Sequence, residues 1–455
     1  MRDLLVVAIV VASLPVAVAR PFAGVVVWTW LGFMNPHQLT WGFARTLELS
    51  LLVAGATLLG LVFTDERRRV PLVRETYLLA AFWALTAVSS FFGYYQEDAW
   101  GAFRQFTKIL LMLFVTIMLG QTRERLRVLL IVAALSIGFW GFKGGLWVLI
   151  TGGEEGWALG PDGSFIGDNN GLALALDMTL PLLFFLALEE RGWLQRLLAA
   201  TCALSAVTIP FTYSRGGFLG LVVVLAMSLA RTRWKWAVLP AGAMAAMLAI
   251  SFLPLRWIDR MGTITTYAED GSAMSRLNAW RIGWGLALDN PFVGGGFVVF
   301  PHAEVWLKYV PEWNYGTTAF NAHSIYFQVL GEHGFTGLGL FIALLACTLL
   351  SLRAIRRQAR GLSDGAWLVN YASMVQISVA AFMVAGAFYN LAYFDLLYFF
   401  VAVTIILKQL VADRLVSVPV EAPAPGEAWA ARPANQTAPT PSRPAPSTRG
   451  PFVTD

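Results

Sequence analysis

Apolar residues in this chain come in long unbroken stretches. They follow neither the three-to-four spacing of a water-facing helix nor the alternation of a half-buried strand. The stretches lie near 46–64, 75–93, 103–120, 128–150, 171–188, 195–213, 216–230, 236–254, 336–352, 366–388 and 394–411. About 18 such residues carry a helix across a hydrocarbon core of roughly 30 Å. A further apolar stretch, 4–33, is interrupted by Arg20-Pro21 and reads as one crossing with a broken end or as two short ones. Its Arg2 start and its Ala17-Val18-Ala19 also fit a signal peptide, but one Arg beside Asp3 is a poor basic region, and a retained helix is preferred. The expectation is an all-α polytopic membrane protein with about twelve transmembrane helices.

Charge sets the orientation. Alternate loops hold Arg67, Arg68, Arg69 and Arg74; Arg123, Arg125 and Arg127; Arg191 and Arg196; Arg231, Arg233 and Lys235; and Arg353, Arg356, Arg357 and Arg360. With Arg2, Lys408 and Arg414 added, these form the inner, cytoplasmic set. Both termini are then inside if 4–33 crosses once. Composition agrees: charged residues are 13% and hydrophobic ones 57%, with a mean hydropathy of +0.62. A soluble domain has about 25% charged residues. Two Cys, both in apolar runs, make no disulfide scaffold. The net charge of +5 is spread over short loops rather than one stripe, so nucleic acid is not expected as a partner.

Four segments follow: transmembrane helices with short loops over 1–254, an outer loop or cap over 255–322, further transmembrane helices over 323–416, and a disordered inner tail over 417–455. The cap is the one long loop between spans. Its aromatics (Trp257, Trp280, Trp284, Phe297, Phe300, Trp306, Tyr309, Trp313, Tyr315) predict a folded element at headgroup level. The tail is rich in Pro, Ala, Ser and Thr.

Polar clusters near membrane depth are the candidate chemistry. In Thr212-Tyr213-Ser214-Arg215-Gly216-Gly217 the glycines allow a sharp turn, and the Arg offers planar donors suited to phosphate, or else snorkels to headgroups. In Ser275-Arg276-Leu277-Asn278-Ala279-Trp280-Arg281, a helix would send Arg276 and Arg281 to different faces, one toward a ligand and one toward solvent or an acid. Asp289-Asn290-Pro291 would end that helix, and Gly294-Gly295-Gly296 would form a close-approach loop. His323 leads the third cluster, sharing a helical face with Tyr326 and Phe327; it is a candidate general base or a His held by a backbone carbonyl. His333, in a Gly-flanked break, reads as structural. Asp168 and Asn169, in Gly167-Asp168-Asn169-Asn170, either contact substrate or belong to a cap with Asn169 or Asn170 at N-cap. Lys143, within an apolar run, adds positive charge to the outer cavity, and Arg104 and Lys108, at the start of another, do the same or snorkel. No Asp-x-Asp pair, His/Cys cluster, His-Glu-x-x-His or P-loop pattern is present, so no metal or other cofactor is expected.

In order along the chain stand Arg215 in Ser-Arg-Gly-Gly, Arg276 four residues before Trp280, Pro291 with its glycines, His323, and the Gly331–Gly337 break. This ordered set resembles the O-antigen ligase and O-antigen polymerase superfamily of bacterial inner-membrane proteins. The resemblance covers most of residues 46–411, and Gly167-Asp168-Asn169-Asn170 looks closest to the O-antigen or O-glycosylation ligase branch. It implies a periplasmic active site and glycan transfer from an undecaprenyl-pyrophosphate carrier to the lipid A core. It implies His323 as catalytic base and Arg215 and Arg276, with Arg281 nearby, as diphosphate ligands. Asp168, Asn169, Tyr213 and Tyr326 are then candidate substrate contacts. Ser324 stands where many relatives have Asn. A polymerase, using a second lipid-linked glycan, and a protein O-glycosylation ligase share this donor. A secondary transporter is the reading from another class.

Overall fold

The structure is a computed structural model that describes residues 1–153, 156–231, 271–312 and 320–417. The expected span 236–254, the aromatics Trp257, Trp313 and Tyr315, and the tail beyond Ser417 lie outside the described residues. Two compact units divide the chain at Asp413, and the elements below belong to the first except for the last residues of its final helix.

Every regular element among the described residues is helical. In order they are α1 (Arg2–Ala19), α2 (Pro21–Met34), α3 (Leu49–Phe63), α4 (Arg74–Phe91), α5 (Gln96–Leu119), α6 (Arg123–Thr151), α7 (Asn169–Glu189), α8 (Gly192–Thr208), α9 (Arg215–Leu229), α10 (Gly271–Asp289), α11 (Ala303–Tyr309), α12 (Ile325–Ala359), α13 (Ala366–Ala385) and α14 (Asp395–Ser417). Seven of the described helices are long and apolar enough to cross a membrane: α1, α5, α6, α7, α12, α13 with its following turn, and α14. The shorter α2, α3 and α9 are equally apolar. The protein is a multi-pass helical membrane protein; the full count of twelve stays an expectation.

Arg20-Pro21 breaks the first stretch into an antiparallel pair. Asp3 at the start of α1 accepts the backbone N–H groups of Gly42 and Ala44, just ahead of α3, both at 3.1 Å. At the other end, Gly60 of α3 lies against the carbonyls of Ala17 and Val18, and Gly24 of α2 against Ala17 and Thr57. A side chain at Gly60 would sit 2.4 Å from the Val18 oxygen, so glycine sets this packing distance. Two short segments, not one broken crossing, therefore precede α3. Arg2 lies at the end where α3 begins, opposite the 65–73 loop with which charge alone had grouped it.

The central helix is α7, buried along nearly its whole length and packed against α6, α8, α9 and α13. At the arginine-rich end, carboxylates tie neighbours together. Arg125 pairs with Glu66 at 2.8 Å, Arg127 with Glu190, and Lys408 of α14 with the buried Glu75 of α4 at 2.8 Å. At the opposite end a second, smaller apolar core gathers Ala279, Ile282 and Leu286 of α10 with Val299, Phe300, Val305, Trp306 and Val310. Residues 279–310 thus pack into a folded element, in which Phe297, Phe300 and Trp306 face inward rather than toward headgroups. Trp284 is the exposed one of the set.

One break organises this end. Within α12, Gly334 has φ 67° and ψ −169°, so the helix is two rods joined at a kink. The kink leaves carbonyls without helical partners. The glycine loop supplies them: the N–H groups of Gly295 and Gly296 donate to the carbonyls of Gly331 and Glu332 at 2.8 and 2.9 Å, and Phe335 N–H donates to Pro291 O at 2.8 Å. A Cβ on Gly334 would lie 2.4 Å from the Pro291 oxygen. Ser89 of α4 closes the joint, within hydrogen-bonding distance of Val293 O, Glu332 O and His333 Nδ1. His333 is buried in this joint against Phe82 and Phe297, the structural role its setting predicts.

Candidate functional site

Four separate stretches meet at the His323 end. Asp168, rather than Asn169 or Asn170, is the N-cap of α7. One of its oxygens accepts the N–H groups of Asn170 and Gly171 at 2.8 and 2.9 Å. Its other oxygen accepts the hydroxyl of Tyr389. Burial, then the Asp168 charge, raises the Tyr389 pKa, which keeps that hydroxyl protonated as a donor. Asn169 is buried and donates from Nδ2 to the carbonyl of Thr212 at 2.8 Å, anchoring the turn that leads into α9.

That turn is tightly built. Tyr213 sits in the left-handed region at φ 55°, where a non-glycine residue stores strain, and Ser214 caps α9 by accepting Gly217 N–H at 3.1 Å. Gly217 touches Ala173 of α7, and Gly216 packs on Phe388 and the Ala385 carbonyl. A larger residue at either place would push α9 away from its neighbours, so the glycines bring Arg215, the first residue of α9, beside the chain that carries Tyr389. Arg215 itself is half-buried.

His323 lies one residue before the N-cap of α12, not within the helix, and has φ 48°. It therefore does not share a helical face with Tyr326 and Phe327. Tyr326 donates its hydroxyl to Met383 O at 2.9 Å, joining α12 to α13. Phe327 stacks on Trp280 of α10, with centroids 5.2 Å apart and planes 6° apart. The same α10 carries Arg276 one turn earlier. Burial is the main cause that lowers the His323 pKa to about 4; the charge of Arg276 adds to it and that of Asp168 opposes it. A guanidinium of α10 and the carboxylate that caps α7 thus both bear on the imidazole that precedes α12. Arg281 departs from expectation: it faces away and makes an exposed ion pair with Glu312 at 2.5 Å.

Beside the cluster is a cavity of about 350 Å³ whose polar lining includes Gln105, Asn321, Gln328, Glu332, Tyr389 and Tyr393. Glu332 is 4% exposed; its oxygens accept Val298 N–H at 3.1 Å and the Tyr393 hydroxyl at 2.5 Å. At Gln105, Ile109, Ser164 and Phe165 this cavity adjoins a larger one of about 750 Å³, lined both by apolar residues such as Trp28, Leu51, Leu58 and Met112 and by the polar His37, Arg45, Glu48, Lys108 and Asp395. Arg215, Arg276 and His323 are not in either lining; Asn321-Ala322 and Tyr389 are the links to them. Lys143 instead lies over the Trp140 ring at 5.1 Å.

Tyr389, Glu332 and Tyr393 were not singled out from the sequence. The polar interruption Tyr389-Asn390 between two apolar spans is the signal that marks the first.

Residues 200–342, which contain Arg215, Arg276 and His323, match the O-Antigen ligase family. That match supports membership of the O-antigen ligase superfamily. Members of this family are membrane glycosyltransferases or ligases, so at that coarse level the protein is an enzyme. Residues 1–189, which contain Asp168 and Asn169, match a family of unknown function. No curated protein matches the chain. The O-antigen ligase domain thus supplies the imidazole and both guanidiniums, and the preceding segment supplies the carboxylate and the amide.

Proposed function

We propose that the protein is an O-antigen ligase that transfers a glycan from an undecaprenyl-pyrophosphate carrier to the lipid A core oligosaccharide on the periplasmic side of the inner membrane. Arg215 and Arg276 hold the diphosphate. Each charge-assisted hydrogen bond to it is worth about 1.5–3 kcal/mol, and the bonds strengthen as the leaving group gains charge. His323 accepts the proton of an acceptor hydroxyl as its oxygen attacks the anomeric carbon. The bond from that carbon to the diphosphate oxygen breaks on the opposite face, so configuration inverts and the lipid diphosphate departs. Tyr389 positions Asp168, whose charge favours the protonated ring that forms in the step.

The observation that carries this reading is that the charges of Arg276 and Asp168 both bear on His323 beside a polar cavity. In support, amides and hydroxyls in that cavity suit sugar hydroxyls, and the apolar side chains Trp28, Leu51, Leu58 and Met112 of the adjoining cavity suit a polyprenyl chain. The deciding experiment is transfer in vitro from a synthetic lipid-diphosphate glycan to purified lipid A core. Product on lipid A core supports ligation; product only on a second lipid-linked glycan, or only on protein, redirects the assignment. His323→Ala should keep donor binding and lose transfer, and normal transfer by that variant removes the base role.

A further inference from the structure

At the opposite end of the bundle, two guanidiniums share one neutral oxygen. Arg231, just past α9, donates to Ser373 O and to Gln376 Oε1 of α13, both at 2.8 Å. Arg356, in the last turn of α12, donates to the same Gln376 Oε1 at 3.0 Å. Burial, then the charges of Arg356 and Arg353, lowers the Arg231 pKa to about 10, which leaves it fully charged at pH 7.

Three other cations at this end are matched: Arg125 has Glu66, Arg127 has Glu190 and Lys408 has Glu75. Among the described residues no carboxylate pairs with Arg231 or Arg356. Two buried donors nearby in sequence, Arg356 Nε and the Ser228 hydroxyl, make no hydrogen bond. A helix C-terminus offers only about half an elementary charge, too little for Arg231, Arg353, Arg356 and Arg360 together. Both arginines stand at helix ends on the arginine-rich side, where the positive-inside pattern expects headgroup phosphates. Converging guanidinium forks with a spare donor and, among the described residues, no carboxylate partner are phosphate chemistry.

We propose that Arg231 and Arg356, around Gln376, form a phosphate-binding site for the headgroup of an anionic lipid or for free phosphate. This site is independent of the glycan-transfer assignment. Its occupant ties the far end of α9, which begins with Arg215, to α12, which begins just after His323.

The test uses the full chain purified in a neutral detergent. Its thermal midpoint is followed on adding phosphatidylglycerol, phosphatidylcholine with the same acyl chains, or inorganic phosphate at matched ionic strength. Wild type and an Arg191→Gln control, which removes an exposed charge at the same end, should rise with phosphatidylglycerol and not with phosphatidylcholine. In Arg231→Gln/Arg356→Gln the half-saturating lipid concentration should increase by about tenfold or more. A rise with inorganic phosphate, lost in the double variant, identifies the free ion as a sufficient occupant; a rise with phosphatidylglycerol alone identifies the lipid. If the double variant does not fold, Arg356→Gln is compared by native mass spectrometry and should retain one phosphatidylglycerol fewer than wild type. Equal response to both lipids with none to phosphate, or equal retention, overturns the site.

Discussion

The pH dependence of transfer is the sharpest probe of the proposed base. His323 titrates near 4 instead of its ordinary 6.5, because burial and then Arg276 disfavour the imidazolium. At pH 7 all but about one ring in a thousand is neutral. In the free enzyme, kcat/KM should therefore be flat from pH 8 to about 5 and fall tenfold per pH unit below about 4. Bound diphosphate sets negative charge against Arg276, so the limb in kcat should lie at higher pH than the limb in kcat/KM. Arg276→Gln removes the second cause and should move the kcat/KM limb upward, into the interval between about 4 and 6.5. Stability follows the same proton. The fall from 6.5 to about 4, at about 1.36 kcal/mol per pH unit, corresponds to roughly 3 kcal/mol. That contribution is complete above 6.5 and is lost as pH falls toward 4, since the unfolded chain takes up the proton first. The assay is transfer in lipid nanodiscs from a synthetic lipid-diphosphate glycan, with thermal unfolding recorded at each pH. A wild-type kcat/KM limb centred near 6.5, or one that Arg276→Gln does not move, refutes the reasoning.

Other substitutions separate the roles of the remaining groups. Gly334→Ala combines a positive φ with a Cβ 2.4 Å from Pro291 O, so a loss of about 2 kcal/mol or more is expected in thermal unfolding. Arg281→Ala removes only an exposed ion pair and should change stability by less than about 1 kcal/mol, with unaltered affinity for the lipid diphosphate. Asp168→Asn keeps a capping oxygen while Asp168→Ala loses about 1 kcal/mol of helix stability; both remove the charge that opposes Arg276, so both should lower the kcat/KM limb of His323 further. Gly220→Ala would put a methyl 2.2 Å from the buried Asp177 carboxylate and should lower the thermal midpoint by several degrees.

Apolar runs are legible in sequence because lipid demands them, and the described spans fall close to where the runs predict. The run 336–352 shows the limit of that signal. It marks only the rod of α12 after the kink, because the rod before it faces protein and carries Gln328, Glu332 and His333. Arg215, Arg276, His323 and Asp168 were legible as rare polar residues at membrane depth. Their pairings were not: Tyr389 and Asp168 are 221 residues apart, and nothing local to either points to the other. Helical spacing also misplaced His323, since a left-handed residue ahead of the N-cap leaves the register of the helix it precedes. The different fates of Arg276 and Arg281 follow from their spacing on α10, although spacing alone does not say which one turns inward.

The joint made by Ser89, residues 290–296 and residues 331–335 also bears on how chimeras between relatives should be cut. Its hydrogen bonds run between backbone atoms of the two loops and from the Ser89 hydroxyl, past glycines that leave no room for a side chain, so the three segments behave as one interlocking part. A graft that exchanges the outer region while splitting this part would leave carbonyls facing the wrong loop and the imidazole mis-aimed. Crossover points placed in the exposed turn before α4 and after the kink of α12 would carry it across whole.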